Sequence, residues 1–314
     1  MAHIVTIGEI LVEFMAKEIG QKFYESGDFV GPFPSGAPAI FIDQAAQCGS
    51  TTRILSAVGD DGFGRINLER LQRNGVDISK IKVLKDATTG VAFVTYKDDG
   101  DRDFIFHITN AACGRIDEEL VGEEDFKGCK YFHIMGSAIY NDGVYRAILK
   151  GIKLAQRNNC KITFDPNVRK EIVTNEEKRS ILMDILNQAQ IILAGENEIF
   201  YLTGVEDELT SVKALLEKNA EMVVIKRGSR GATLYTKDEV INIDAYKVKE
   251  IDPTGAGDCF AGTFVSCINQ GIKPLEALGL AAIAGAKAVT RKGPMEGNTT
   301  LEELRLLDNE NQNK

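Results

Sequence analysis

The sequence predicts an α/β fold, a mostly parallel central sheet with helices on both faces, accompanied by a small second β-sheet. Two patterns lead there. From Asn141 onward short apolar runs alternate with longer stretches of helical period, the βαβα signature of a parallel sheet. Thr88–His107 instead alternates apolar and polar residues around the acidic turn Asp98-Asp99-Gly100-Asp101, the pattern of a half-exposed hairpin. The 314 residues suit one sheet-centred domain, 1–314, with the small sheet as its appendage.

His3–Ile7 is β-branched and reads as the first strand. Ala37–Cys48 is small and apolar enough for a helix lying close on a sheet, and Thr52–Val58 reads as the next strand. Val12–Val30 joins the hairpin to form the small sheet, contributed by about 12–34 and 88–108 and placed to act as a lid. Helices follow at Val144–Gln156, Lys178–Gln188 and Thr210–Lys218. They alternate with strands at Ile162–Phe164, Ile191–Ala194 and Met222–Ile225. The polar tail Asp308–Lys314 reads as frayed.

With 37 Lys and Arg against 46 Asp and Glu, the net charge is −9, spread without an acidic tail. That offers nothing to nucleic acid or an anionic membrane. A chain this acidic that handles phosphate must gather positive potential locally, from backbone N–H groups and a few cations. The six cysteines include no C-x-x-C pair and there is no His at metal-ligand spacing, so free thiols in a reducing compartment are expected. Met1–Phe14 lacks the basic region and cleavage site of a leader, and no stretch approaches the ~20 apolar residues that cross a bilayer. A cytoplasmic protein is expected.

The chemistry concentrates in Asp252-Pro-Thr-Gly-Ala-Gly-Asp258, which runs into the apolar Thr263–Ile268. Three small residues opening a helix expose backbone N–H groups at the positive end of the helix dipole, an anion hole. Asp258 at its edge is placed to accept a proton from a hydroxyl attacking phosphorus. The plain alternative is a helix start capped by Thr254 or Asp258. There is no G-x-G-x-x-G after the first strand, where Gly8-Glu9-Ile10 stands, and no G-x-x-x-x-G-K-[ST] anywhere. A dinucleotide-binding dehydrogenase and a P-loop kinase are thereby disfavoured.

The 252–258 segment resembles the C-terminal signature of the PfkB, or ribokinase-like, carbohydrate kinases, and further resemblances run in order from Gly8-Glu9 to Gly293-Pro-Met-Glu-Gly297. The resemblance implies a ribokinase-like fold and an ATP-dependent sugar kinase, with Asp258 as base and Gly255, Ala256 and Gly257 as the anion hole. Ser35-Gly36-Ala37-Pro38-Ala39 is similar to the N-terminal signature, which implies Gly36 and Ala37 against the sugar, with Glu13 where an Asp commonly binds sugar hydroxyls. Val58-Gly-Asp-Asp-Gly-Phe-Gly64 resembles the family's next motif, although by itself it is a turn. Val224-Ile-Lys-Arg-Gly-Ser-Arg-Gly231 resembles the segment along ATP and implies nucleotide contacts at Lys226, Gly228 and Gly231, with Gly255 and Gly257. Glu198 matches the Glu that organises Mg²⁺ through water; its plain alternative is an exposed helix glutamate. Asp252 and Thr254 match groups that hold K⁺ in relatives.

Two positions depart from the pattern: Ile40 and Gly195 stand where an Asn is usual, with Asn197 displaced by two. Asp165-Pro-Asn-Val-Arg169 is similar to a segment of fructokinases and 2-keto-3-deoxygluconate kinases. A ketohexose such as fructose or tagatose is therefore the expected acceptor. An acid sugar is the runner-up, should Arg102 and Arg169 face a carboxylate. A catalytically inactive sugar- or nucleotide-binding homologue is the alternative from another class, against which Asp258 stands. The resemblance also implies a homodimer formed through the lid.

Overall fold

A computed structural model describes residues 1–98, 101–168, 173 and 175–312. The elements, in order, begin with β1 (Ile4–Ile7), β2 (Leu11–Ala16), β3 (Phe29–Ser35), α1 (Ala37–Gln47), β4 (Thr52–Gly59), α2 (Gly62–Arg73), β5 (Val76–Asp77), β6 (Ile81–Leu84), β7 (Gly90–Tyr96) and β8 (Arg102–His107). The middle of the chain holds α3 (Glu123–Phe126), β9 (Tyr131–Met135), α4 (Asp142–Arg157), β10 (Lys161–Asp165), α5 (Glu176–Leu186), β11 (Ile191–Gly195), α6 (Glu196–Thr203), α7 (Glu208–Glu217) and β12 (Met222–Lys226). It closes with β13 (Ala232–Tyr235), β14 (Val240–Ile243), α8 (Ala256–Asn269), α9 (Pro274–Ala288) and α10 (Leu301–Gln312).

Among the described residues the large sheet has ten strands in the order β14-β13-β12-β11-β10-β9-β1-β4-β5, with β6 also on β4. All pairs from β12 through β4 and its neighbours are parallel; β13 and β14 add an antiparallel edge. The strands are apolar at consecutive positions because both faces are covered. Ile4, Leu193 and Val224 pack with α1, α8 and α9 through Phe41, Phe264 and Ala281. Their neighbours Val5, Ile192 and Val223 pack on the other face with Ile148, Leu182 and Leu216 of α4, α5 and α7.

A separate four-stranded sheet runs β3-β2-β7-β8, with β2 and β7 parallel and the outer pairs antiparallel. Alternation along β8 sends Arg102, Phe104 and Phe106 to one face and Ile105 to the other. Phe93, opposite Ile105 in register, shares that outer face.

One expectation is corrected. Within the tail Asp308–Lys314 the described part is not frayed: α10 runs to Gln312, and the Asp308 carboxylate accepts a 2.8 Å bond from the Tyr246 hydroxyl, while 313–314 lie outside the described residues. Leu304 is fully buried, and Leu301 and Leu307 pack beside it, so apolar residues at helical spacing anchor a segment whose own composition is polar.

Candidate active site

Among the expected site residues, Lys226 ends β12 and Glu198 follows β11, at strand ends of the kind where open parallel sheets take their ligands, Gly255–Asp258 open α8, and Glu13, Gly36 and Arg102 come from β2, the start of α1 and β8. Gly255 begins α8 in the left-handed region, φ 81°, and a Cβ there would stand 2.3 Å from the Pro294 carbonyl oxygen. Only glycine fits, so the loop draws tight and the first N–H groups of Ala256, Gly257 and Asp258 sit at the helix's positive end. The cap position is Gly255, so Thr254 precedes the cap and Asp258 is the third residue of the helix. Asp258 is 6% exposed, and its Oδ1 accepts a 3.0 Å bond from the Asn167 amide.

Asp252, buried under the loop, fastens it. Its Oδ1 accepts from Thr254 N (3.0 Å), Thr254 Oγ1 (2.7 Å) and Tyr96 OH (3.2 Å), and its Oδ2 from Gly293 N (3.0 Å). Burial and the adjacent Asp252 charge push the Tyr96 phenol well above its ordinary pKa. Arg102 of β8 donates to Thr254 Oγ1 at 3.0 Å. The small sheet thus rests on the helix-opening loop through Tyr96 and Arg102.

Between them lies a cavity of about 40 Å³. Asp258, Gly255 and Thr254 form one wall and Gly36, Ala37 and Ile40 another, while Phe104 and Phe106 close it from β8. Gly36 has φ 109°, and a Cβ there would press 2.4 Å from the Glu9 carbonyl oxygen, so α1 starts hard against the end of β1. Glu13 lines the cavity and accepts 2.6 Å from Ser35 Oγ. Ile40 puts an apolar surface where an Asn amide was the familiar group. Arg102 is not among the lining residues, and Arg169 lies outside the described residues.

Glu9 and Ser137 also line this cavity, joined by a 2.9 Å bond from Ser137 Oγ to Glu9 Oε1. Neither was singled out as a site residue. Position was the available signal for Glu9, since it follows β1 at a strand's carboxyl end; Ser137 follows β9 in the same way.

Behind the helix terminus, Lys226 at the end of β12 pairs with Asp165 at the end of β10, Nζ to Oδ2 2.5 Å. Nζ also stands 3.4 Å from where a Cβ on Gly257 would be, at the start of α8. Burial would lower the Lys226 pKa, but Asp165, Glu198 and Asp258 outweigh it and hold the ammonium charged. Burial, with Glu198 nearby, raises the Asp165 carboxyl against the opposing pull of Lys226. Three carboxylates around one ammonium leave the group with surplus negative charge, which favours an incoming cation.

Glu198 lies in the first turn of α6 and accepts from Val168 N and Gly195 N, each at 2.7 Å. It therefore holds two loops together as well as facing the Lys226 group. Gly195 supplies no side chain, and the exposed Asn197 does not replace one. Gly228 (φ 55°) and Gly231 (φ 91°) shape the turn from β12 to β13 beside Lys226.

The model of the pfkB family carbohydrate kinases matches residues 1–301. Fructokinase-1 of Oryza sativa subsp. japonica is 31% identical over 317 residues, covering 97% of each chain. A protein of E. coli provisionally described as a ribokinase II, solved in complex with ATP and Mg²⁺, is 44% identical with a TM-score of 0.93, covering 99% of this chain and 100% of that one. A fructokinase from Xylella fastidiosa with bound ATP, 24% identical, has the same fold at a TM-score of 0.88 and covers 99% of this chain and 100% of that one. The chain therefore belongs to the PfkB family of carbohydrate kinases and is a sugar kinase.

Proposed function

We propose that this kinase transfers the γ-phosphoryl group of ATP to a hydroxyl of a neutral ketohexose such as fructose or tagatose. The observation that carries the chemistry is the position of Asp258, a buried carboxylate in the first turn of α8 that also lines the cavity. There it removes the proton of the sugar hydroxyl as the oxygen attacks phosphorus and ADP departs. Charge on the transferring group meets the N–H groups of Gly255–Gly257 and the Lys226 ammonium.

Mg²⁺, when bound, neutralises the β- and γ-phosphate oxygens. Glu198, facing the Lys226 group, is the carboxylate that would hold it through water. For K⁺ the fit is narrower. The side chains of Asp252 and Thr254 are committed to each other and to Tyr96, Gly293 and Arg102, so backbone carbonyls of this loop would be the ligands.

The curated fructokinase relatives support a ketohexose acceptor. The Arg102–Thr254 bond gives that guanidinium a role in seating the small sheet. The cavity is far below the about 300 Å³ at which small-molecule pockets begin. The small sheet is accordingly proposed as a lid that lifts to admit the sugar.

A coupled ADP-release assay over neutral ketohexoses and sugar acids with Mg-ATP, run in K⁺ and in Na⁺, tests this reading. Turnover is expected with fructose or tagatose, lost in chelator and modestly higher in K⁺. Turnover of 2-keto-3-deoxygluconate alone would replace the ketohexose reading with the acid-sugar one. No turnover of any sugar would favour an inactive homologue.

A further inference from the structure

Asn167 is buried, 8% exposed, in the left-handed region at φ 37°, a conformation that costs any residue but glycine and that asparagine tolerates best. The loop that carries it is clamped on each side. Asp165, held by Lys226, accepts the Asn167 backbone N–H at 3.1 Å, and Glu198 accepts the N–H of Val168 at 2.7 Å. Pro166 closes in so far that a Cβ on Gly136 would stand 1.8 Å from its carbonyl oxygen. From this clamped loop the side-chain amide donates to Asp258 Oδ1 at 3.0 Å, with Met135 Sδ at 3.4 Å on its other side.

We propose that Asn167 is a positioning residue for phosphoryl transfer, its amide fixing the rotation of the Asp258 carboxylate toward the cavity and favouring its ionised form. The proposal rests on the reading of Asp258 as the base. A donor to one carboxylate oxygen sets the plane of the group, and a hydrogen bond to the charged form favours that form. Other charged and titratable groups face Asp258 from the surrounding elements. Lys226 on β12 and Asp165 at the end of β10 lie near it, with Glu198 on α6 beside them, and the Cys259 thiol is next on α8. Glu9 and Glu13 share the cavity, and Arg102 reaches Thr254 from β8. Asn167 differs from all of these in being a neutral donor held on the base by a strained backbone. It also links the Lys226 side of the site to the sugar side through consecutive bonds, from Lys226 to Asp165, Asn167 and Asp258.

The test is steady-state kinetics of the full chain from pH 5 to 9 for wild type, Asn167→Gly, Asn167→Asp and, as reference, Asp258→Asn. Glycine accepts the positive φ and removes only the amide, so a backbone role alone predicts wild-type kinetics. The proposal predicts a kcat lower by about ten- to a hundredfold, the worth of a hydrogen bond to a charged group. It also predicts an unchanged KM for ATP and an acid limb of the pH profile moved to higher pH. Asn167→Asp sets a like charge against Asp258 and should move that limb further. Normal kcat and profile in Asn167→Gly, with turnover abolished in Asp258→Asn, would overturn the proposal and leave the base assignment standing. Full activity in Asp258→Asn would remove the base assignment itself. Should the glycine variant fail to fold, the near-isosteric Asn167→Asp decides alone, and an acid limb where the wild type has it overturns the proposal.

Discussion

Single side chains set the geometry of this site more than their sequence neighbourhood suggests. Asp61, read as part of a turn, caps α2 by accepting from Gly64 N at 2.8 Å and takes two further bonds, from Thr89 N (2.8 Å) and Thr89 Oγ1 (2.7 Å), at the foot of β7. Partial burial raises its pKa, but these hydrogen bonds outweigh it and hold the carboxyl below the ordinary value. A depressed carboxyl contributes stability above its unfolded pKa of 3.8 and loses it as the pH falls through the lower folded value. Asp61→Ala should therefore cost about 1–2 kcal/mol at pH 7, as lost helix caps do. The gap in Tm between wild type and variant should narrow as the pH falls below 3.8. A gap that stays constant or widens in acid would contradict this role.

At the scale of elements, periodicity was informative wherever a segment's own residues decided its structure. The strand at Lys161–Asp165 and the helix at Asp142–Arg157 were legible because apolar spacing in each matches its period. The edge hairpin β13–β14 was not singled out, since short strands with one exposed face carry little signal; the tail from Asp308 was misread because the apolar anchors of α10 lie upstream of it. The outer face of the small sheet was only half legible. The alternation was visible, but the cluster it builds comes from all four strands: Phe93 stacks on Phe14 (5.5 Å) and meets Phe29 and His107 edge-on (5.6 and 6.3 Å), with Ile105 39% exposed beside them. Such an apolar face on a sheet with two open edges suits the homodimer proposed through the lid. Sedimentation velocity at micromolar concentration should give a dimer mass for wild type and a monomer for Ile105→Asp. A monomeric wild type would exclude that interface.

Over the whole molecule, residues far apart in sequence converge on a few ångströms at the strand ends, and the site's legibility follows from that. Gly255–Asp258 could be read directly because the proposed anion hole and the proposed base lie in one segment. Glu9, Ser137 and Asn167 could not, since each is an ordinary polar residue until the parallel sheet brings its strand end beside α8. Arg102 was legible as part of the small sheet, but its partner, Thr254, is 152 positions away. In the proposed mechanism the sheet delivers Lys226 and Asn167 to the start of α8, the small sheet would close over the sugar, and Asp258 alone would take the proton. Asp258→Asn keeps the size of the side chain while removing its ability to accept that proton, so kcat is the most direct measurement of the claim. It should fall by about 10²–10⁴-fold, the usual worth of general-base catalysis, with the KM for ATP nearly unchanged because the backbone N–H groups and Lys226 remain. A variant that folds normally and turns over at close to the wild-type rate would contradict it.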